Sequence, residues 1–289
     1  MTTVTGIDVY HGDNGGAAID WNAVKSGGMS FAFAKASQST NFTDPMFATN
    51  WSGMKSAGLV RGAYHYFDAS VDPTSQATYF LGVVGTVTPG DMLALDLETT
   101  NGETQATVLA NAITFLSAVQ SMSGVTPMLY VSPLFLSSYT GLGGFPLWVA
   151  NYGVTCPDVP SPWTTYTFWQ SGTGTISAIS GAVDLDSFNG TLAELQALGK
   201  PPMDAGQPTD ASTEADAFDG SVVGSEPPED GGNMESTDSG NPDSGEPSGT
   251  PEGSSGCSCT LDRPERSSSF GVFALLGFLA IAARRRQKR

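Results

Sequence analysis

Two carboxylates two residues apart, Asp96 and Glu98, end an apolar run that begins at Met92. The run predicts a buried strand, on which side chains at positions i and i+2 point the same way. Two acids held side by side disfavour each other's ionisation, so one can keep a proton while its neighbour stays charged. Acid-catalysed cleavage of a glycosidic bond needs that division of roles. The same residues also fit an exposed strand end with two solvated acids, because structural ion networks also bring acids together.

Short apolar runs alternate with amphipathic stretches through residues 5–199. Eight of the apolar runs read as strands, at 6–10, 31–36, 61–67, 92–98, 127–132, 146–152, 166–170 and 182–188. Helices are predicted between the first five, at 18–26, 45–57, 73–84 and 104–122. This alternation predicts an α/β fold of parallel βαβ units, and eight strands are the number that closes a barrel.

Polar and aromatic side chains end six of the predicted strands, where a barrel of this kind places its active site, and others lie within the sixth and eighth strands. They are Asp8, Tyr10, Lys35, Tyr64, Tyr66, Asp96, Glu98, Tyr130, Trp148, Asn151, Gln170, Asp184 and Asp186. Residues scattered over a surface would not converge in this way. The convergence favours a functional role for Asp96 and Glu98 over that of two solvated surface acids.

A set of segments then carries a recognisable pattern: 6–10 (GIDVY), 19–25 (IDWNAVK), 33–37 (FAKAS), 58–66 (GLVRGAYHY), 95–98 (LDLE), 147–152 (LWVANY) and 168–170 (FWQ). The pattern resembles glycoside hydrolase family 25, the N,O-acetylmuramidase lysozymes, in register over about residues 5–199. The resemblance implies an irregular TIM-like (β/α)5β3 barrel. It also implies cleavage of the β-1,4 bond between N-acetylmuramic acid and N-acetylglucosamine in peptidoglycan. The spacing of Asp96 and Glu98 on one predicted strand favours a substrate-assisted mechanism with retention of configuration.

The resemblance also implies roles for individual residues. Glu98 matches the general acid of the family and Asp96 the carboxylate beside it, while Asp8 and Asp184 match two further acids of the cleft. The side chains expected to bind substrate are Tyr10, Lys35, Tyr64, Tyr130, Trp148 and Gln170, with Tyr64, Tyr130 and Trp148 as an aromatic platform for sugars. One position departs from the family pattern, since Gln38 stands where many members carry a glutamate. We expect this change to affect sugar contacts and not the catalytic pair.

Composition divides the chain into a barrel domain at 1–199, a linker at 200–256 and a tail at 257–289. Residues 201–256 contain 13 acids and no Lys or Arg, among many Gly, Ser, Pro and Thr residues. Such a segment cannot bury enough apolar surface to offset its ordering entropy, so we expect a disordered acidic linker.

The tail combines Cys257 and Cys259, an apolar run at 270–283 and the Arg-rich end 284–289, and resembles a myxobacterial C-terminal sorting signal. A helix of the apolar run would span roughly 21 Å at about 1.5 Å per residue, short of a bilayer core of ~30 Å. Flanking residues could extend it into a transmembrane helix, with the arginines cytoplasmic and the barrel outside. We therefore expect membrane or cell-surface attachment, or secretion, although the first residues lack the pattern of a secretory signal peptide.

Charge and composition also restrict partners and cofactors. A net charge of −17 argues against nucleic acid, whose phosphates are bound by clustered Lys and Arg. Three Cys and two His residues show no zinc-site spacing, so we expect no metal site, and we expect no other cofactor. The expected partner is the glycan strand of peptidoglycan, and the expected oligomeric state is a monomer. Two other interpretations stay open: an endo-chitinase or related N-acetylhexosaminidase, and a non-catalytic cell-wall-binding module. The second would be expected to have lost Asp96 or Glu98, and both are present.

Overall fold

The structure, a computed structural model, describes residues 3–198. It contains nine strands: β1 (Val4–Val9), β2 (Phe31–Gln38), β3 (Phe42–Thr43), β4 (Val60–Tyr66), β5 (Met92–Asp96), β6 (Met128–Val131), β7 (Leu147–Ala150), β8 (Phe168–Thr175) and β9 (Ala182–Phe188). Its five helices are α1 (Trp21–Ser26), α2 (Phe47–Ser56), α3 (Pro73–Val84), α4 (Gln105–Ser123) and α5 (Leu192–Ala197). The predicted linker 200–256 and tail 257–289 lie outside the described residues, so both remain predictions.

Eight of the strands close into a barrel, which confirms the predicted fold class. Their order around the sheet is β1-β9-β8-β7-β6-β5-β4-β2, and β2 pairs again with β1. All neighbours are parallel except β9, which runs antiparallel to both β8 and β1. The short strand β3 pairs only with β2 and stands outside the ring. Because β9 is antiparallel to its neighbours, its first residues lie at the rim where the parallel strands end.

Four of the five described helices follow the first four parallel strands of the barrel, as the periodicity predicts, and the unpredicted α5 follows β9. The resemblance implies a fifth βα unit, but residues 132–146 between β6 and β7 form turns and no helix. That segment contains two prolines and three glycines in 15 residues, which explains why it cannot sustain helical backbone.

Local capping residues mark boundaries of α1, α3 and α4. The predicted start of α3 is confirmed, with Asp72 accepting from the Ser75 amide at 2.7 Å and Pro73 at the first helical position. Gly124 ends α4 in the left-handed conformation at φ 72°. The helix α1 starts at Trp21, after position 18 of the predicted segment, because the Asp20 side chain caps the Ala23 amide.

The barrel interior is graded from apolar to polar along each strand. Inward positions recur every two residues, so the series Val4-Gly6-Asp8, Phe31-Phe33-Lys35 and Met92-Ala94-Asp96 each begin apolar and end charged. The apolar members form one buried cluster with Trp148 and Phe168, closed from below by Leu195 of α5. A Cβ at Gly62 would overlap the Phe33 ring, so glycine there lets the large interior rings fit. The polar members of these series, at the strand ends, therefore lie together at one rim of the barrel.

A second apolar layer lies between the outer face of the barrel and the helices. The long helix α4 contributes Val108, Ala112, Phe115, Leu116 and Val119 to it, all fully buried. By length and hydropathy alone α4 could cross a membrane. Its buried face packs in the core, as expected of a barrel helix.

His65 lies in this outer layer, between the inward-facing Tyr64 and Tyr66 of β4. Its Nδ1 atom is 2.8 Å from Ser37 Oγ and its Nε2 atom is 3.1 Å from Gln76 Oε1, and all three residues are fully buried. Burial disfavours the charged ring and, with the Lys35 charge, outweighs the Gln76 hydrogen bond, which lowers the pKa of His65 from 6.5 to about 3.

This burial predicts a pH-dependent stability term. The unfolded chain binds a proton at His65 below about pH 6.5 and the folded chain does not, so the stabilisation is complete above that pH and is lost as the pH falls toward about 3. When the pH falls from about 6.5 to about 4.5, the free energy of unfolding of the wild type should decrease by ~2–3 kcal/mol more than that of His65→Gln. Urea unfolding of both proteins at the two pH values measures the difference. Equal pH slopes would contradict the prediction.

Candidate active site

Four acids meet at the rim where the parallel strands end. Asp8 of β1 and Asp184 of β9 are direct partners across an antiparallel pair. Asp96 is the last residue of β5, with Tyr66 and Tyr130 as its neighbours in register, and Glu98 follows it by two residues. Asp8 and Asp96 are almost fully buried, whereas Glu98 and Asp184 are half-buried. The site therefore has two buried carboxylates behind two that solvent and substrate can reach.

A buried amide connects one side of this site. Gln170 Nε2 donates to Asp8 Oδ2 at 2.5 Å, and Gln170 Oε1 accepts from the hydroxyls of Tyr130 at 2.7 Å and Tyr152 at 2.5 Å. The Tyr152 hydroxyl is also 3.2 Å from Asp184 Oδ1. Because Gln170 has 0% exposed surface, it orients Asp8 and the two tyrosines and offers no surface to a sugar.

Lys35 supplies the positive charge on the other side of the rim. Its side chain is 2% exposed, and its Nζ atom donates to Gln38 Oε1 at 2.7 Å and lies 4.7 Å above the Tyr66 ring. Gln38, the position that departs from the family pattern, is thus a direct partner of Lys35. Because the amide is neutral, the Lys35–Gln38 pair carries a net positive charge.

Burial changes the interpretation of the predicted aromatic platform. Tyr64 and Trp148 have no exposed surface and Tyr130 has 3%. Trp148 stacks on Phe33 at 4.3 Å between ring centroids, and its Nε1 donates to Asp186 Oδ1 at 2.8 Å. The geometry therefore supports these three rings as the floor of the site, and no ring face of Tyr64 or Trp148 can stack on a sugar. Tyr10, which is half-buried at the rim, can make such a contact.

Two further residues contribute to the site: Asp186, which is among the converging polar residues of the predicted strands but has no predicted role, and Tyr152, which is not among them. Tyr152 bonds Gln170 and approaches Asp184, and Asp186 accepts from Trp148. A signal for both exists in the sequence, because Asp186 follows Asp184 by two residues and Tyr152 stands just past the β7 strand. Within residues 3–198, no group of three or more His, Cys, Asp or Glu side chains is placed to hold a metal ion. The chemistry that these groups can perform is proton transfer and charge stabilisation by carboxylates.

Known proteins place this geometry in a family. The profile of Glycosyl hydrolases family 25 matches residues 7–178. Lysozyme M1 of Streptomyces globisporus is 36% identical over 216 residues, which cover 68% of this chain and 71% of that protein. An N,O-diacetylmuramidase of Arthroderma benhamiae is 28% identical over 199 residues, covering 63% and 82% of the two chains.

A solved structure agrees in fold. The bacterial lysozyme from Streptomyces coelicolor superposes with a TM-score of 0.64 at 33% identity, and the match covers 69% of this chain and 98% of that one. The matched segment carries Asp8, Asp96 and Glu98, and the closed barrel raises them to one rim. The chain belongs to glycosyl hydrolases family 25.

Proposed function

We propose that this protein is a muramidase that hydrolyses the β-1,4 bond between N-acetylmuramic acid and N-acetylglucosamine in peptidoglycan, with retention of configuration. The observation that carries the proposal is the Asp96-x-Glu98 pair at the barrel rim, with Asp8 and Asp184 nearby, in a chain of glycosyl hydrolases family 25. The names of the relatives support it, since a lysozyme and an N,O-diacetylmuramidase match most of the barrel.

The four acids take different roles in the proposed reaction. Glu98 is half-buried, as a group that must meet a substrate oxygen has to be, and serves as the general acid. Asp96 is 1% exposed and polarises the 2-acetamido group of the muramic acid residue. Asp8, held by Gln170, and Asp184 stabilise the positive charge that develops on the sugar ring. Tyr10, half-buried at the rim, binds the substrate. The floor beneath the substrate is formed by buried side chains: Lys35, Tyr64, Tyr130, Trp148 and Gln170.

The reaction proceeds in two balanced steps. Glu98 gives its proton to the bridging oxygen as the C1–O bond breaks, and the acetamido carbonyl oxygen bonds to C1 from the opposite face. N-acetylglucosamine leaves with a free 4-hydroxyl, and a cyclic oxazolinium ion stays on the muramic acid side. Glu98, now a carboxylate, takes a proton from water as that water bonds to C1 and the ring opens. Two inversions at C1 give net retention.

Hydrolysis of purified peptidoglycan, followed by turbidity and by mass spectrometry of the products, tests the proposal. Fragments with a reducing end at N-acetylmuramic acid are expected. Soluble chitin oligomers released from chitin, with no action on peptidoglycan, would instead identify an endo-chitinase or related N-acetylhexosaminidase. Binding to cell walls without any products would identify a non-catalytic wall-binding module.

We also propose that the enzyme acts outside the cytoplasm as a monomer attached to a membrane or cell surface. The apolar run 270–283 and the arginines after it support attachment. In the described part of the chain, the exposed large apolar side chains, Met122, Leu134, Val154 and Leu192, lie on four different segments, which supports a monomer. Fractionation of cells with and without residues 257–289 tests the attachment, and light scattering tests the monomer.

Residues 1–199 alone should fold and keep their activity on soluble peptidoglycan fragments. The barrel closes within 3–198, and every residue assigned to the site lies there. The linker is expected to add reach and no contact to the site. The measurement is the specific activity of the truncated and full chains on the same fragments. An insoluble or inactive truncation beside an active full chain would contradict the domain boundary.

A further inference from the structure

The segment that carries Glu98 is attached to the neighbouring loop by an asparagine. Glu98 lies in loop 97–104, between β5 and α4, and its neighbour at the rim is loop 67–72, between β4 and α3. The Ala69 amide in loop 67–72 donates to Asn101 Oδ1 at 3.1 Å. Asn101 follows Glu98 by three residues, so the bond fixes the segment close to the general acid.

Ala69 is also held through its carbonyl group. Asn111 Nδ2 of α4 donates to the Ala69 carbonyl oxygen at 3.0 Å. Ala69 has no exposed surface, so its amide and carbonyl groups need partners, and two asparagines from the Glu98 loop and the following helix supply them. We call Asn101, Ala69 and Asn111 the Ala69 clamp.

Loop 67–72 is itself fixed to the barrel, so the clamp has a rigid anchor. Gln76 Nε2 donates to the carbonyl oxygens of Asp68 at 2.8 Å and Val71 at 3.0 Å, and Gln76 Oε1 accepts from the Asp68 amide at 3.0 Å. Gln76 Oε1 also contacts the buried ring of His65 on β4. The anchor therefore reaches the strand that carries Tyr64 and Tyr66.

The backbone of Asn101 shows why asparagine suits this position. Its φ is +51°, in the left-handed region that asparagine tolerates better than other residues with a Cβ. Asn101 is exposed, and its backbone conformation alone does not require a side chain with an acceptor oxygen. Glycine would satisfy the backbone, whereas only a side chain with an acceptor oxygen also reaches the Ala69 amide.

We propose that Asn101, assisted by Asn111 through Ala69, is a positioning residue that holds Glu98 in the geometry needed for proton transfer. The proposal rests on the assignment of Glu98 as the general acid. The Leu97 amide donates to the Tyr130 carbonyl oxygen at 3.0 Å, and beyond it the chain leaves the barrel sheet. The clamp is the next attachment that we assign to this segment. A displacement of about 1 Å at a reacting group can cost on the order of 10²-fold in rate.

The test compares three variants of the full chain on soluble peptidoglycan fragments. Asn101→Gly keeps the left-handed backbone and removes the acceptor, and kcat should fall by about 10- to 100-fold with KM changed less than about threefold. Asn101→Asp keeps both features and should restore kcat to within about threefold of wild type. Ser70→Ala is the matched control, because Ser70 Oγ bonds Asp68 within loop 67–72 and does not reach the Glu98 loop.

A structural role alone would not separate the glycine and aspartate variants in kcat at equal folded fraction. An Asn101→Gly enzyme within about twofold of wild type, or an Asn101→Asp enzyme as slow as Asn101→Gly, overturns the proposal. If Asn101→Gly fails to fold, Asn111→Leu removes the other bond to Ala69 and must show the same selective loss of kcat. Activity in Glu98→Gln would instead remove the assignment of Glu98, so the two failures are distinguishable.

Discussion

Glu98→Gln is expected to abolish peptidoglycan hydrolysis while the protein still binds wall fragments. The amide keeps the shape and hydrogen-bonding capacity of the side chain but cannot deliver a proton to the bridging oxygen. The loss of kcat should be on the order of 10²–10⁴-fold or more. Initial rates on soluble fragments, together with co-sedimentation with insoluble walls, measure the two properties separately.

The chain offers a matched control in the same loop. Glu103→Gln makes the same change of charge five residues away, at a half-buried position that has no role in the proposed site. Its kcat should stay within about twofold of wild type. A Glu98→Gln enzyme within about tenfold of wild type would remove Glu98 from its role as general acid, whatever Glu103→Gln does.

The barrel could be predicted from the sequence because each strand shows two features, an apolar beginning and a polar end. Each inward series is apolar at the start of the strand and polar at its end, as in Met92-Ala94-Asp96, so one pattern predicts both the strand and the rim. The caps at Asp72 and Gly124 are equally local, because each bonds within a few residues of its own position. Local rules of this kind predicted four of the five described helices and all eight barrel strands, with ends shifted by up to three residues, except that β8 extends five residues further; α5 was not predicted.

Burial and long-range polar partners could not be predicted in the same way. The sequence places Trp148 and Gln170 at strand ends, but whether a rim side chain faces a sugar or the barrel interior depends on the size of its neighbours across the ring. Phe33 stacks on Trp148, and Asp8 lies 162 residues before its partner Gln170. The Ala69 clamp is likewise invisible in the sequence, since it joins an asparagine to a backbone group 32 residues away.

Two mechanisms with the same stereochemical outcome compete for Asp96. It could attack C1 as a nucleophile and form a covalent ester, or it could orient the 2-acetamido group, whose oxygen then attacks. Asp96 ends β5 and Glu98 follows it by only two residues at the start of the next loop. In extended chain such positions lie about 6–7 Å apart and point the same way, so we expect both carboxylates on one side of the sugar. A nucleophile must approach from the face opposite the leaving group. The close spacing of Asp96 and Glu98 in the chain therefore favours the acetamido oxygen as the nucleophile.

Removal of the acetamido group from the muramic acid residue should consequently remove turnover. Fragments with a free amine or hydroxyl at C2 lack the nucleophile, and the loss of kcat should be at least on the order of 10²–10⁴-fold, with binding retained. The same fragments with the acetamido group removed only from N-acetylglucosamine are the control, because that group takes no part in bond formation. Efficient cleavage of the first substrate would decide against substrate assistance. A 2-fluorosugar, which also lacks the acetamido group, should leave Asp96 unmodified, and an ester on Asp96 seen by mass spectrometry would establish the covalent route instead.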